Sequence, residues 1–295
     1  MDELDTLFPP SAEQLDAYRR DGFVRIPDAL SESLLAEYRQ ICTNLVRSLD
    51  GAARRQQFLR DYDEQQREQI TELLRPPGST GTDASSETYA RAFTQITNLW
   101  RHSAAMERLV RAPRLAQMAA ALLGAAGVRV YHDQALFKEA GGGHTPWHVD
   151  QFYWPLPGER TVTLWIPLQA VSADMGPLAF APGSQRTARA GEAGRLAISD
   201  ESEQRLTELL TDGPVLEDPF VSGEVSFHNG WTCHRAGANK TANTRAAFTV
   251  IYMASDVRMS EPEHRNHRLD AALWLPGVAP GDIAASDLNP LVYGT

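Results

Sequence analysis

The first third of the chain places apolar residues three or four positions apart, which is the spacing of one face of an α-helix. In the first such segment Ser11 stands before Leu15 and Tyr18, and Asp21-Gly22 forms a turn signal after them. Serine is favoured at helix N-termini and glycine at helix C-termini. The pattern predicts a helix that begins after Ser11 and turns at Gly22.

Two further segments repeat this helical pattern. Ser31 precedes a run with apolar residues at Leu34, Leu35, Tyr38 and Ile41. Another amphipathic segment covers residues 112–123 and stops at Gly124. Between the two, residues 51–75 are charged and rich in glutamine, and Pro76-Pro77 breaks the pattern. We expect residues 78–86, which are rich in Gly, Ser and Thr, to form a mobile loop that closes over a bound substrate.

After Gly127 the pattern changes to an alternation with a period of two, which is typical of β-strands. The alternating sets are Val128, Val130 and His132 on one face and Arg129, Tyr131 and Asp133 on the other. Strand-like runs follow at 161–168, 225–227 and 246–253, separated by turns rich in Gly and Pro. Helices first and short strands afterwards predict a mainly-β fold, a sandwich or barrel with flanking helices.

The composition of the chain limits which binding partners and which cellular compartment we expect. The 295 residues carry a net charge of −10 without a dense run of Lys or Arg, so nucleic acid is not an expected partner. The chain has no run of 18 apolar residues and no basic-then-apolar leader, so we expect a cytoplasmic protein that does not interact with membranes. Cys42 and Cys233 are too few for a disulfide framework or a Cys-rich zinc site.

The strongest chemical signal is Trp147-His148-Val149-Asp150. Residues i and i+2 of a strand point to the same face, so His148 and Asp150 can reach one ion. His234 lies 84 positions after Asp150 (234 − 150), behind a strand-like run, and Arg245 heads the next run. Two histidines and one carboxylate leave adjacent coordination positions open, as oxygen activation at iron(II) requires.

Six motifs in order resemble the phytanoyl-CoA dioxygenase family of iron(II)- and 2-oxoglutarate-dependent oxygenases. They are Arg20-Asp21-Gly22-Phe23-Val24, the strand at 132–138, the His148-Asp150 motif, the strand at 162–168 with Trp165, the turns Met175-Gly176-Pro177-Leu178 and Pro182-Gly183-Ser184, and residues 223–234 followed by Arg245. The resemblance implies one domain over residues 1–295 with a double-stranded β-helix, or jelly-roll, core at about 126–256. A helical support at about 1–125 and a C-terminal extension at about 257–295 would flank it.

The resemblance also implies roles for individual residues. His148, Asp150 and His234 would bind iron(II), which works with 2-oxoglutarate and O2. Arg245 would pair with the far carboxylate of 2-oxoglutarate, because a guanidinium binds carboxylates in bidentate fashion. Gln134 and Trp165 would also contact this co-substrate. Two positions depart from the family: Ala236 replaces a serine that often helps to hold the far carboxylate, and Gln185 replaces a histidine that is not a metal ligand.

Substrate contacts are predicted from aromatic and histidine residues near the metal motif, namely His132, Phe152, Trp154 and Trp231. His144, like His132, remains a candidate for lining the site, whereas His102, His228, His264 and His267 are interpreted as structural or exposed. Cys233 should pack into the core, because it points away from its strand neighbour His234. The expected partner is a small molecule, and the expected assembly is a monomer or small homo-oligomer.

The predicted reaction is oxidation of an unactivated C–H bond, most simply hydroxylation, with release of succinate and CO2. Desaturation, cyclisation or epimerisation would use the same cofactors. Halogenation is disfavoured, because related halogenases replace the carboxylate ligand and Asp150 is present. The alternatives from other classes are a jelly-roll binding protein without catalysis and a zinc hydrolase with the same ligands.

Overall fold

The computed structural model describes residues 2–49, 62–74, 93–188 and 191–295. The loop predicted at 78–86 lies outside these ranges. The helices of the described part are α1 Ala12–Asp21, α2 Glu32–Ser48, α3 Glu64–Leu74, α4 Ala104–Val110, α5 Pro113–Leu123, α6 Gln185–Ala188, α7 Asp200–Leu209 and α8 Arg265–Trp274. Its strands are β1 Phe23–Ile26, β2 Thr94–Thr97, β3 Gly127–Lys138, β4 Thr145–His148, β5 Thr161–Pro167, β6 Leu178–Phe180, β7 Val225–Asn229, β8 His234–Ala236, β9 Arg245–Ala254 and β10 Leu291–Gly294.

The N-terminal helices begin and end where their capping residues predict. At the start of α1, Ser11 Oγ accepts from the backbone N–H of Gln14 at 3.2 Å, and the Gln14 side chain accepts from Ser11 N at 2.8 Å. Gly22 ends α1 with a φ of 82°, a conformation that costs a glycine little. Ser31 caps α2 by accepting at its Oγ from the backbone N–H of Leu34 at 3.3 Å, and Gly124 ends α5. The three helices predicted from the sequence are therefore confirmed.

The strands form two antiparallel sheets. In the larger sheet the order is β1-β7-β5-β9-β3-β10, with β2 also paired to β3, and the smaller sheet has the order β4-β8-β6. Helix α5 packs against β3, β5 and β9 on the outer face of the larger sheet. One apolar cluster contains residues of both sheets, among them Phe23, Trp165 and Phe180. The arrangement is the jelly-roll core with flanking helices that the sequence predicts.

Strand β3 does not keep the predicted alternation, and this changes the position of His132. Val130 pairs with Tyr252 and His132 pairs with Ile251, so Tyr131 is an extra residue that forms a β-bulge. Val128 and Val130 belong to the core under the helices, whereas His132 lines a cavity on the other side of the sheet. The prediction that His132 shares a face with Val128 and Val130 is therefore wrong, because a bulge reverses the sidedness of every later residue.

Candidate active site

The three predicted metal ligands meet at the ends of neighbouring strands. His148 is the last residue of β4 and His234 the first of β8, and the two lie directly opposite each other in the antiparallel pair. Asp150 begins a short 3-10 helix after β4. One ligand atom from each residue lies within 4.8 Å of the other two, and the Asp150 Oδ1 atom is 3.6 Å from both histidine Nε2 atoms.

Backbone carbonyls fix the histidine tautomers. His148 Nδ1 lies 2.8 Å from the carbonyl oxygen of Pro146, and His234 Nδ1 lies 2.9 Å from that of Thr232. A proton on each Nδ1 satisfies these bonds and leaves the Nε2 lone pair free to bind a metal. Burial, followed by the effect of neighbouring histidines, lowers the pKa of each ring to about 4, so both stay neutral at physiological pH.

Two residues that the sequence analysis did not select orient the carboxylate. Asp150 Oδ2 accepts from Thr163 Oγ1 at 2.9 Å and lies 3.2 Å from His228 Nε2. Thr163 and His228 are themselves cross-strand partners on β5 and β7. Burial by itself would raise the pKa of Asp150, but His234 and His228 outweigh burial and lower it well below its usual range. The donor set of two neutral imidazoles and one oriented carboxylate fits an iron(II) ion.

Arg245, the first residue of β9, is a buried cation that faces the same cavity. Its Nη1 donates to the carbonyl oxygen of Gly176 at 3.2 Å, and its Nε has no partner among the described residues. The guanidinium carbon lies 5.7 Å from the centre of the Trp165 ring. Burial lowers the pKa of Arg245 to about 10, so the side chain remains charged. A buried cation without an acidic partner in the described chain is suited to bind an anionic ligand.

Lys138 is the cross-strand partner of Arg245 and also contacts Thr145. The Lys138 ammonium donates to the carbonyl oxygens of Gly143 and Gly237, each at 2.7 Å, and to Thr145 Oγ1 at 3.3 Å. Thr145 also lines the cavity and is the cross-strand partner of Ala236. A hydroxyl therefore stands directly opposite the position where the family often has a serine.

Gln134 lies on β3, next to the strand of Arg245 in the larger sheet, and is held by its neighbours there. Its Oε1 accepts from Gln95 Nε2 at 2.8 Å, and its Nε2 lies 3.4 Å from His132 Nδ1. Burial lowers the pKa of His132 to about 4. Both Gln134 and His132 line the cavity, as does Trp165.

The cavity has a volume of about 310 Å³, at the lower end of the range for small-molecule sites (about 300–1,000 Å³). Of the four predicted substrate contacts, His132 and Trp154 line it. Phe152 and Trp231 do not belong to the lining found among the described residues. Phe152 stacks on His264 with ring centres 4.8 Å apart, and Trp231 packs closely against Gly158. These two aromatic side chains therefore pack against neighbouring residues and do not line the cavity.

The C-terminal helix α8 supplies part of the cavity wall that the sequence analysis missed. Its residues Asp270, Leu273 and Trp274 line the cavity. Trp274 lies against His132, with ring centres 4.8 Å apart. No sequence signal connects a helix about 120 residues after the metal motif to the metal site, because the connection is made only by packing.

Among the residues that the structure describes, every helix is too short or too polar to span a lipid bilayer.

Comparisons with known proteins agree with this geometry. The phytanoyl-CoA dioxygenase (PhyH) family profile matches residues 18–247. The ectoine dioxygenase of Bordetella parapertussis is 27% identical over 86% of this chain and 79% of its own length. A probable alpha-ketoglutarate-dependent hypophosphite dioxygenase of Stutzerimonas stutzeri is 25% identical over 61% of this chain and 66% of its own length.

Solved structures with the same fold include two enzymes of nogalamycin biosynthesis. The non-heme alpha-ketoglutarate-dependent carbocyclase SnoK superposes with a TM-score of 0.70 at 24% identity, over 97% of this chain and all of that chain. The epimerase SnoN gives a TM-score of 0.68 at 24% identity over 96% of each chain. The predicted fold and the predicted class, an iron(II)- and 2-oxoglutarate-dependent dioxygenase, are confirmed. The family profile covers most of the chain, and the chain therefore belongs to the phytanoyl-CoA dioxygenase family.

Proposed function

We propose that this enzyme hydroxylates an unactivated C–H bond of a small molecule and that His148, Asp150 and His234 bind its iron(II). The observation that carries the proposal is the convergence of three ligand atoms within 4.8 Å, with both histidine Nδ1 atoms already committed to backbone carbonyls. Iron(II) bound there, with 2-oxoglutarate and dioxygen, supplies an oxidant for C–H bonds and releases succinate and CO2. The reaction class rests on the family and the fold.

The proposed 2-oxoglutarate site is the region around Arg245. Its guanidinium pairs with the far carboxylate, and Gln134 and Trp165 border the co-substrate. Thr145 supplies the hydroxyl that Ala236 lacks, because it lies opposite Ala236 and its oxygen already accepts from Lys138. The hydroxyl proton of Thr145 is then free to be donated to a carboxylate.

The chain's own contribution to the reaction is positioning and exclusion of water. Thr163 and His228 hold the Asp150 carboxylate so that Oδ1 faces the two Nε2 atoms. Trp154, Leu273 and Trp274 cover the cavity with apolar surface. A dry cavity strengthens the electrostatic interactions inside it and protects a reactive site from side reactions.

The experiment that tests this proposal measures iron and succinate together. The wild-type protein should bind one iron(II) per chain and convert 2-oxoglutarate to succinate, whereas His234→Ala should lose both properties with an unchanged circular dichroism spectrum. His102→Ala, which changes a histidine outside the cavity, is the matched control. Full succinate formation by His234→Ala at saturating iron would refute the ligand assignment. Incorporation of one oxygen atom from dioxygen into the product would distinguish hydroxylation from cyclisation, desaturation or epimerisation.

A further inference from the structure

The cavity contains a second ionisable group that has no oppositely charged partner among the described residues. Asp270 of α8 lines the cavity and is half-buried. Its Oδ2 accepts from the Tyr131 hydroxyl at 2.8 Å, and Trp274 donates to the same carboxyl group. Both donors are neutral, and no cation of the described chain forms an ion pair with Asp270. Arg245 lines the same cavity and also lacks an oppositely charged partner among the described residues, but its charge would be neutralised by 2-oxoglutarate.

The surroundings of Asp270 are aromatic. Tyr153, Trp154 and Trp274 line the same part of the cavity, and Tyr131 packs edge-on against Trp154 with ring centres 5.8 Å apart. The faces of aromatic rings attract organic cations, most strongly where water is excluded. The nearby His132 does not serve as a counter-charge, because burial lowers its pKa to about 4 and keeps the ring neutral.

We propose that the substrate carries an ammonium group and that Asp270 binds this group within an aromatic wall formed by Tyr153, Trp154 and Trp274. A carboxylate is the ordinary partner of an ammonium ion, and an ion pair of this kind offsets the cost of burying each charge. Burial raises the pKa of Asp270 to about 8 in the empty cavity, so a cationic ligand there would also stabilise the ionised carboxylate.

The position of Asp270 relative to the metal ligands is suitable for presenting a substrate. Tyr153 lines the same cavity as Asp150 and Asp270. An amine held at Asp270 therefore leaves the rest of the molecule in the same cavity as His148 and His234. This inference deepens the proposed function and rests on it, since it treats the cavity as the substrate site.

The test uses pairs of probes with the same shape and different charge, namely benzylammonium with benzyl alcohol and n-butylammonium with butan-1-ol. Binding to the full-length, metal-free protein is measured by ligand-observed NMR and calorimetry at about pH 8.5, where the Asp270 carboxyl group is mostly ionised and both amines remain mostly protonated. The wild-type protein should bind each ammonium probe about 10- to 100-fold more tightly than its alcohol, which is the usual advantage of a charged hydrogen bond. Asp270→Asn should remove this preference, and Asp287→Asn, an exposed change in the same C-terminal segment, should keep it.

Three results would overturn the inference: equal affinity for ammonium and alcohol in the wild-type protein, no measurable binding of either ammonium probe, or an undiminished preference in Asp270→Asn. Equal affinity for ammonium and alcohol in the wild-type protein would overturn the inference even if Asp270→Asn does not fold. Because the probes are measured without iron or 2-oxoglutarate, the result is separate from the iron and succinate experiment. Loss of succinate formation would contradict the proposed function, whereas loss of charge preference would contradict only the assignment of the substrate class.

Discussion

His228 contacts a predicted metal ligand in the structure, although it is interpreted from the sequence as structural or exposed. The ring is buried and its Nε2 lies 3.2 Å from Asp150 Oδ2, while its Nδ1 has no partner among the described residues. The ring thus holds the carboxylate of Asp150, one of the three proposed iron ligands. Loss of such a supporting bond typically lowers metal affinity by about 10- to 100-fold. We expect this loss in His228→Leu, measured as iron(II) affinity in competition with a chelator.

The matched control for His228 is Ser226→Ala on the same strand. Ser226 is also buried, and its hydroxyl has no partner in the described chain. This substitution should leave iron affinity unchanged. An unchanged affinity in His228→Leu as well would mean that Thr163 alone suffices to orient Asp150.

Arg245 allows a second prediction for a single residue. Arg245→Gln removes the charge but keeps a polar side chain, so the loss is that of a charge-assisted pair, about 1.5–3 kcal/mol. The dissociation constant of 2-oxoglutarate should rise by about 10- to 100-fold, as measured by calorimetry on the iron-loaded protein without oxygen. Iron affinity should be unchanged, and Arg111→Gln on the exposed end of α4 should change neither quantity. Unaltered 2-oxoglutarate affinity would assign the far carboxylate to another residue.

Among the elements, the bulge in β3 decides which side chains reach the cavity. Asn289 stabilises it, because its Nδ2 donates to the carbonyl oxygens of Val130 and Tyr131, each at 3.2 Å, and its Oδ1 accepts from Ser286. Asn289→Ala removes both of these buried hydrogen bonds, which typically costs about 1–3 kcal/mol. Denaturant unfolding should show this decrease in the free energy of unfolding.

Ser286→Ala provides the graded control for Asn289→Ala. It removes one hydrogen bond to the Asn289 side chain but leaves Nδ2 on the bulge carbonyls. Its effect on the free energy of unfolding should be smaller than that of Asn289→Ala. If the two variants were equally stable, the contact between Asn289 and the bulge would contribute little to folding.

At the scale of the whole molecule, a buried carboxylate in the larger core links stability to pH. Asp133 accepts from the backbone N–H groups of Leu99 at 2.9 Å and Trp100 at 3.2 Å. Burial raises the pKa of Asp133 to about 7, compared with about 3.9 in an unfolded chain. Between these values the folded state binds more protons than the unfolded state, so the stability contribution of this group falls as pH rises from about 4 to about 7.

Asp133→Asn removes this titration. It also removes one of the two acceptor oxygens, and the free energy lost with that hydrogen bond does not vary with pH. The free energy of unfolding of the wild-type protein minus that of the variant should therefore decrease from pH 4.5 to pH 7, by at most about 1.4 kcal/mol per pH unit, and level off above pH 7. Urea unfolding at several pH values measures this difference. Asp212→Asn, an exposed substitution, is the control, and a difference that is constant with pH would contradict the prediction.

The sequence by itself determined the local structure and the chemistry of the metal centre. Caps at Ser11 and Ser31 and the glycine at Gly124 lie within a few residues of the helices they define, so their pattern is readable from the chain. His148 and Asp150 are two positions apart, and the family motif supplied His234 and Arg245. Such signals can be recognised in the sequence alone, because the interactions are local or the spacing between the residues is fixed by the fold.

The tertiary structure alone decided what surrounds this centre. Neither the bulge at Tyr131 nor the contact of His228 with Asp150 has a periodic signature, because each depends on pairing between distant strands. Asp270 and Trp274 reach the cavity only because α8 packs across it, more than 100 residues after the metal motif. The sequence thus determined the class of reaction, and the packing of distant segments decided which side chains line the cavity beside the predicted metal ligands.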